Sequence, residues 1–148
     1  MKTLVDWDGC WKVFVVCKEK NIFSNLARAD VRACQSIIDK QHIQTSFIAL
    51  INMAHTGLPF SDLYDEKKCH VAHTFTRNHR EEKIWRIWGA GTTRIYFIYL
   101  PERRIIILKA KAKRTDKLSS GELLELEGIC GEVLDCTENY DFKSREIK

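Results

Sequence analysis

The sequence predicts an α+β fold: a small, antiparallel-rich sheet covered by helices. Three observations predict it. Strand-like runs lie near the N-terminus and again between residues 83 and 113. Two segments with apolar residues spaced by three and four lie between those runs, and a third such segment follows them. The order strand, helix, helix, three strands, helix is typical of an α+β domain, and we expect its helices to pack on one face of the sheet.

The first half of the chain predicts a strand and a helical hairpin. Residues 4–17 are rich in Val, Trp and Phe and predict one strand or a short hairpin around Asp8 and Gly9. Residues 21–41 and 42–57 predict two antiparallel helices, the second ending at Gly57. The apolar stripe of that second helix comprises Ile43, Phe47, Leu50, Ile51 and Ala54.

The second half predicts a meander and a final helix. Residues 57–82 are polar and contain Gly57 and Pro59, which indicates a long connection of the kind that is often functional. Strands follow at 83–88, 92–100 and 104–113, and the short turns between them predict an antiparallel meander. Ser119 and Glu122 form a capping box at the start of a helix. Its expected stripe is Leu123, Leu126, Ile129 or Cys130, and Val133.

Length and composition predict one soluble domain. The 148 residues are 45% apolar and 30% charged, so we expect a single domain over 1–136 and a polar tail over 137–148. No apolar run is long enough to cross a membrane, and Asp6 and Asp8 interrupt the stretch that a signal peptide requires. We therefore expect a cytoplasmic protein with reduced thiols and no membrane partner.

A metal site is not expected. Cys69, His70, His73 and His79 are potential ligands that lie close together in sequence. Structural zinc sites usually combine two tight ligand pairs with a longer spacer, and this group lacks that layout. The sequence therefore predicts neither a metal nor another cofactor.

Positive charge is concentrated in the meander. Residues 77–117 hold twelve Lys or Arg against four Asp or Glu, whereas residues 118–148 hold three against eight. Alternation from Ile105 to Lys113 predicts that Ile105, Ile107, Lys109, Lys111 and Lys113 share one strand face. Alternate residues on a strand are roughly 6.6–6.8 Å apart, close to the phosphate spacing of a single strand of nucleic acid. Two interpretations stay open: a solvated strand that resists edge pairing, and a phosphate-binding track.

The segment from Trp85 to Leu126 resembles the RelE/ParE superfamily of bacterial toxins, and its HigB-like members most closely. The matching text is "IWRIW", "TRIYFIY" and "RRIIILKAKAKRTDKLSSGELLELE", which keeps the order and spacing of three strands and a helix. The family's helical hairpin would precede it. The chain departs from the family pattern at Trp88, where an arginine is usual, and at Arg114, the second position of a "KK" pair.

The resemblance implies a toxin that cleaves messenger RNA on the ribosome. The ribose 2′-hydroxyl would attack the adjacent phosphate without a metal, while cations stabilise the phosphorane. The matching positions, with neighbouring cations and a histidine able to transfer protons, give as candidate catalytic residues Arg94, Lys113, Arg114, Lys111, Arg86 and His79. The candidate RNA-binding residues are Lys109, Arg77, Arg80 and Tyr96. Whether these faces meet depends on strand register, which the sequence does not determine.

Two other functions remain open. The resemblance also includes ParE-like inhibitors of DNA gyrase, and the basic segment alone would suit a nucleic-acid-binding module that is not catalytic. The expected partners are a cognate antitoxin protein and messenger RNA on the ribosome. An acidic segment of the antitoxin would cover the lysine row, unless the chain's own acidic portion, residues 122–141, folds back on it.

Overall fold

The computed structural model describes residues 2–5, 11–16, 37–58, 60, 68–112 and 117–139. Within these ranges the chain forms six strands and two long helices, which confirms the α+β class. The strands are β1 (Lys2–Val5), β2 (Lys12–Val15), β3 (Cys69–Arg77), β4 (Arg80–Trp88), β5 (Thr93–Leu100) and β6 (Arg104–Ala112). The helices are α1 (Ile37–His55) and α2 (Ser120–Asn139). Neither helix has a stretch long and apolar enough to cross a membrane.

All six strands belong to one sheet in the order β1-β2-β6-β5-β4-β3. The pair β2–β6 is parallel and the other neighbours are antiparallel, so the sheet is mixed but antiparallel-rich. The predicted meander is confirmed as β4, β5 and β6. Of the two N-terminal possibilities, the structure has the hairpin, because β1 pairs with β2.

The expectation of a long connection over residues 57–82 is wrong in its second half. Residues 69–77 form β3, which pairs along its length with β4. The strands are joined through Asn78 and His79, whose φ angles are +50° and +64°. Two successive positive φ angles are typical of the two-residue turn that matches strand twist, and Asn tolerates that conformation. The turn contains no glycine, which removed the usual signal for a hairpin.

The predicted break between two helices at residues 41 and 42 is also wrong. Helix α1 passes through this point without interruption, because no Gly or Pro lies between Ile37 and His55 to end it. The rest of the first predicted helix lies outside the described residues. The predicted end is confirmed: Gly57 has φ +72° and its N–H donates to the carbonyl of Ala54 at 3.2 Å.

The helices lie on opposite faces of the sheet rather than on one. The first core cluster joins α1 to one face through Ile43, Leu50 and Ala54. The second joins α2 to the other face through Leu126, Cys130, Val133 and Leu134. Six successive residues of β5 are buried, so both faces of the central sheet are apolar and each requires a cover.

The start of α2 follows the predicted capping box. The Ser119 N–H donates to Glu122 Oε1 at 3.1 Å, and the Glu122 N–H donates to Ser119 Oγ at 3.2 Å. Of the two alternatives in the predicted stripe, Cys130 is buried and Ile129 only partly so. The helix continues to Asn139, beyond the predicted start of the polar tail at residue 137.

Candidate nucleic-acid-binding site

A β-bulge in β6 decides which way its lysines point. Ile107 pairs with Phe97, and Lys109 pairs with the adjacent Tyr96, so Leu108 is an extra residue in β6. The predicted common face of Ile105, Ile107, Lys109 and Lys111 is therefore wrong. The two isoleucines belong to the first core cluster, whereas both lysines contact α2 on the other side of the sheet.

Strand register brings four cations together on the α2 side. Arg94 pairs with Trp88 on one neighbouring strand and with Lys111 on the other. One step along the strands, Tyr96 lies between Arg86 and Lys109 in the same way. Directly paired residues share a sheet face, so Arg86, Arg94, Lys109 and Lys111 form one surface, which we call the basic face.

The two arginines of the basic face are buried around a tryptophan. Arg86 is 4% exposed and Arg94 is 8% exposed. Their guanidinium carbons lie 5.0 Å and 4.5 Å from the centre of the Trp88 ring. Both distances are within the range of a cation–π interaction, which is strengthened by partial removal from water. The Trp88 ring thus contacts both arginines of the basic face.

Carboxylates of α2 neutralise the lysines. Lys109 Nζ lies 2.5 Å from Glu125 Oε1, and Lys111 Nζ lies 2.6 Å from Glu122 Oε2. The lysine side chains are only 15% and 27% exposed. Lys109 and Lys111 are therefore neither solvated side chains nor part of an open track, because the chain's own acidic helix covers them.

One hydrogen bond and one further ion pair extend this contact along β3. His73 Nε2 lies 2.7 Å from Glu127 Oε1, and Arg77 forms an ion pair with Asp135. A second bulge makes the histidine contact possible, since Ala72 is the extra residue between Val71 and His73 in the pairing with β4. Four carboxylates of α2 thus face four basic side chains of the sheet.

An open cleft remains beside the N-terminal end of α2. It has a volume of about 500 Å³ and is lined by His70, Ala72, His73, Arg86, Lys117, Leu118 and Leu123. The nitrogen Nη2 of Arg86 lies 3.3 Å from His70 Nδ1. Arg86 therefore belongs both to the basic face and to the cleft.

The remaining predicted site residues are dispersed. His79 and Arg80 are exposed at the tip of the β3–β4 hairpin, and six residues of extended strand place Arg80 roughly 20 Å from Arg86. Arg77 is engaged by Asp135. Tyr96 is 1% exposed and belongs to the second core cluster, and its contact with RNA stays a prediction. Lys113 and Arg114 lie outside the described residues.

The group considered as metal ligands is divided by the sheet. Cys69 belongs to the first core cluster, whereas His70 and His73 lie on the α2 side. Burial raises the pKa of the Cys69 thiol to about 11, which disfavours the thiolate that a metal requires. Within the described part of the chain, no three His, Cys, Asp or Glu side chains are arranged to hold a metal ion.

His70 is the site residue that the sequence did not single out as functional. His70 lies on β3, in the segment that the sequence predicted as a loop. The direction of a side chain cannot be predicted for a residue in a loop. Pairing of His70 with Arg86 across the β3–β4 ladder places the two on one face. Recognising the Asn78-His79 turn would have been the signal, because it sets this register.

Comparison of the chain with protein-family models, with curated proteins and with solved structures gives no match.

Proposed function

We propose that the chain is a RelE/ParE-type toxin, HigB-like, that cleaves messenger RNA on the ribosome without a metal. The observation that supports the proposal most is the register that sets Arg94 between Trp88 and Lys111 on a face with Arg86. Four cations grouped on adjacent strands suit a polyanionic substrate, which would take the place of the α2 carboxylates that pair with the two lysines. A meander followed by a capped helix is also compatible with a RelE-like fold.

The proposed reaction requires the protein to remove a proton, to stabilise negative charge and to supply a proton. The ribose 2′-hydroxyl loses a proton and attacks phosphorus, the phosphorane carries additional negative charge, and the 5′-oxygen takes up a proton as its bond to phosphorus breaks. Arg94 and Arg86 are preorganised donors for the phosphorane, since the Trp88 ring and burial fix their positions. By the resemblance, Lys113 and Arg114 act at the same phosphate, with Lys111 beside them.

The covering helix determines where RNA would enter. Lys109 and Lys111 are engaged by α2, so a phosphate chain reaches them only by replacing Glu125 and Glu122. Arg86 is instead reached from the open cleft at the start of the helix. We therefore place the scissile phosphate near the N-terminal end of α2.

Primer extension on messages from cells that express the chain tests the proposal directly. Cuts at fixed codon positions are expected, accompanied by growth arrest. Intact messages with arrested replication would favour a gyrase inhibitor. Intact messages that co-purify with the chain would favour a binding module, and either result would refute the nuclease.

The metal-free mechanism has a separate test. EDTA removes bound metal from the purified chain, which is then transferred to a buffer free of EDTA. The chain is mixed with programmed ribosomes in the presence of a zinc-selective chelator. Cleavage at the rate of the unstripped chain is expected, because arginine and lysine supply the charge stabilisation. Loss of cleavage that added zinc restores would refute a mechanism without a metal.

A further inference from the structure

We propose that the cleft between β3, β4 and the start of α2 is a binding site for a phosphate monoester carried on a group the size of a nucleoside. The site combines a buried arginine, a histidine and an exposed lysine with an apolar wall. It does not depend on RNA cleavage, since a chain that leaves RNA intact can still bind such a ligand.

The cationic end of the cleft suits a phosphate dianion. Arg86 is 4% exposed and keeps its charge at any physiological pH, so the cleft has a permanent positive centre at its base. Lys117 adds a second cation from the exposed segment that precedes α2. The carboxylate of Glu127 is hydrogen-bonded to His73 and that of Glu122 is paired with Lys111, so each of these two carboxylates already has a basic partner.

His70 is oriented by its contact with Arg86. A guanidinium donates hydrogen bonds and accepts none, so Nδ1 of His70 is the acceptor in the 3.3 Å contact with Arg86. In the neutral ring the proton then lies on Nε2, which is a donor. Arg86 thus sets the tautomer in which His70 offers an N–H to an anion.

The cleft also has apolar lining residues. Ala72, Leu118 and Leu123 line it, and they give a planar or aliphatic group a surface on which to pack. The volume of about 500 Å³ falls in the range of small-molecule sites and exceeds what one phosphate would fill. A cationic end beside an apolar wall fits a phosphate monoester with an attached ring better than free phosphate.

Titration calorimetry with adenosine 5′-monophosphate, adenosine and inorganic phosphate tests the site. The monophosphate is expected to bind one site per chain at least tenfold more tightly than either fragment. Lys117→Ala is the first variant, because Lys117 is exposed and its removal leaves the core intact. Loss of one charge-assisted contact should weaken binding about tenfold, and His70→Ala should do the same.

Lys83→Ala is the matched control. Lys83 is exposed on β4, two residues before Trp85, which packs on the first core cluster, so it lies on the opposite face from the cleft. Its removal changes the net charge as Lys117→Ala does and should leave binding unchanged. Adenosine binding as tightly as the monophosphate, absence of saturable binding, or equal affinity of all three variants would overturn the proposal.

Short RNAs with a 5′-phosphate or a 5′-hydroxyl identify the source of the monoester. Tighter binding of the free nucleotide than of the phosphorylated RNA assigns the cleft to a soluble ligand. The reverse order assigns it to an RNA end. A 5′-hydroxyl RNA that binds as tightly as the phosphorylated one and competes with the monophosphate would contradict monoester recognition.

Discussion

Arg94 carries two roles that a substitution can separate. It supplies charge beside Lys111, and its guanidinium packs 4.5 Å from the centre of the Trp88 ring. Arg94→Ala removes both, whereas Arg94→Lys keeps the charge and loses the planar group. A catalytic role requires the planar donors, since a lysine cannot reproduce their directions.

We expect Arg94→Ala to relieve growth arrest while the chain remains folded, and Lys113→Ala to do the same. Loss of one preorganised donor lowers cleavage roughly 10²–10³-fold. Lys83→Ala is the control, because Lys83 is exposed on the opposite face of the sheet from the basic face. Growth arrest is measured beside protein level and circular dichroism. Full toxicity of both variants at normal levels would exclude these residues from catalysis.

Two glycines allow the same substitution to be compared in opposite environments. A Cβ at Gly89 would lie 2.0 Å from Ser46 Oγ and 2.4 Å from Ser46 Cβ, so the β4–β5 turn approaches α1 closely. Gly128 lies in α2 with nothing within 4 Å of its Cβ position. We expect Gly89→Ala to lower the free energy of unfolding by about 1–3 kcal/mol. Gly128→Ala should raise it by about 0.5–1 kcal/mol.

Urea denaturation of both variants measures these changes. Ser46→Gly in the Gly89→Ala background removes both clashing atoms and tests whether the close approach is the cause. If it recovers no stability, or if both single variants shift the midpoint in the same direction, the contact does not control this turn.

Single residues also explain where the sequence failed to predict the site. The basic segment, the strand and the alternation of Lys109 with Lys111 were evident from the sequence. Leu108 was not recognisable as a bulge, and one extra residue reverses the face of everything that follows it. Pairing with β5 determines that bulge, and pairing is a property of two strands rather than one.

At the scale of elements, α2 both completes the core and covers the basic face. Its core contacts begin at Leu126, whereas Glu122 and Glu125 precede that residue. Undocking the whole helix would expose several apolar side chains at about 1.5–3 kcal/mol each. Exchanging its first ion pairs for phosphates leaves those apolar contacts in place, because a phosphate can take the position of each carboxylate beside Lys109 and Lys111. On the proposed function, RNA would therefore compete with the first turns of α2 and not with the helix as a whole.

Charge reversal on α2 tests this competition. Glu125→Lys should strengthen RNA binding, because it releases Lys109 and adds a cation beside it. Glu132→Lys changes the net charge by the same amount. Glu132 is an exposed residue of α2 beyond Leu126. We expect Glu125→Lys to bind about tenfold more tightly than Glu132→Lys in a filter-binding assay. Equal effects would show that the overall field, rather than the local contact, governs binding.

The same variants distinguish self-inhibition from inhibition by an antitoxin. An inactive wild-type chain that Glu125→Lys activates would establish that α2 restrains the basic face. A wild-type chain that is toxic alone and is silenced by a neighbouring protein would establish the partner. In that case the association rate should fall as salt increases, since an acidic partner is steered by charge.

Elements with local signals were the predictable ones. The capping box located the start of α2, and short turns located the meander. Strand β3 was missed because its turn has Asn and His where glycine is usual. The placement of the helices on two faces follows from burial of both sides of β5, which the sequence shows only as a continuous apolar run.

At the scale of the whole molecule, the sheet separates two core clusters, and among the described side chains each cluster contains one buried thiol. Cys69 lies in the first and is 4% exposed, and Cys130 lies in the second and is 0% exposed. Burial raises the pKa of each thiol to about 11 from an ordinary value of 9.0. The two thiols therefore report on the two halves of the core independently.

These pKa values predict how the stability of the fold depends on pH. Between pH 9 and 11 the unfolded chain releases thiol protons that the folded chain retains, so the free energy of unfolding falls as pH rises. This contribution is fully present below pH 9.

We expect the urea midpoint, measured under reducing conditions, to fall from pH 8 to pH 10, and the fall to be smaller in a Cys69→Ala, Cys130→Ala variant. The comparison uses the change with pH in each protein, because the cavities left by the substitutions lower stability at every pH. An equal fall in both proteins would mean that other groups cause it and that the thiols are accessible to water. A smaller fall in only one of the two single variants would show that the core on that side of the sheet alone excludes water from its thiol.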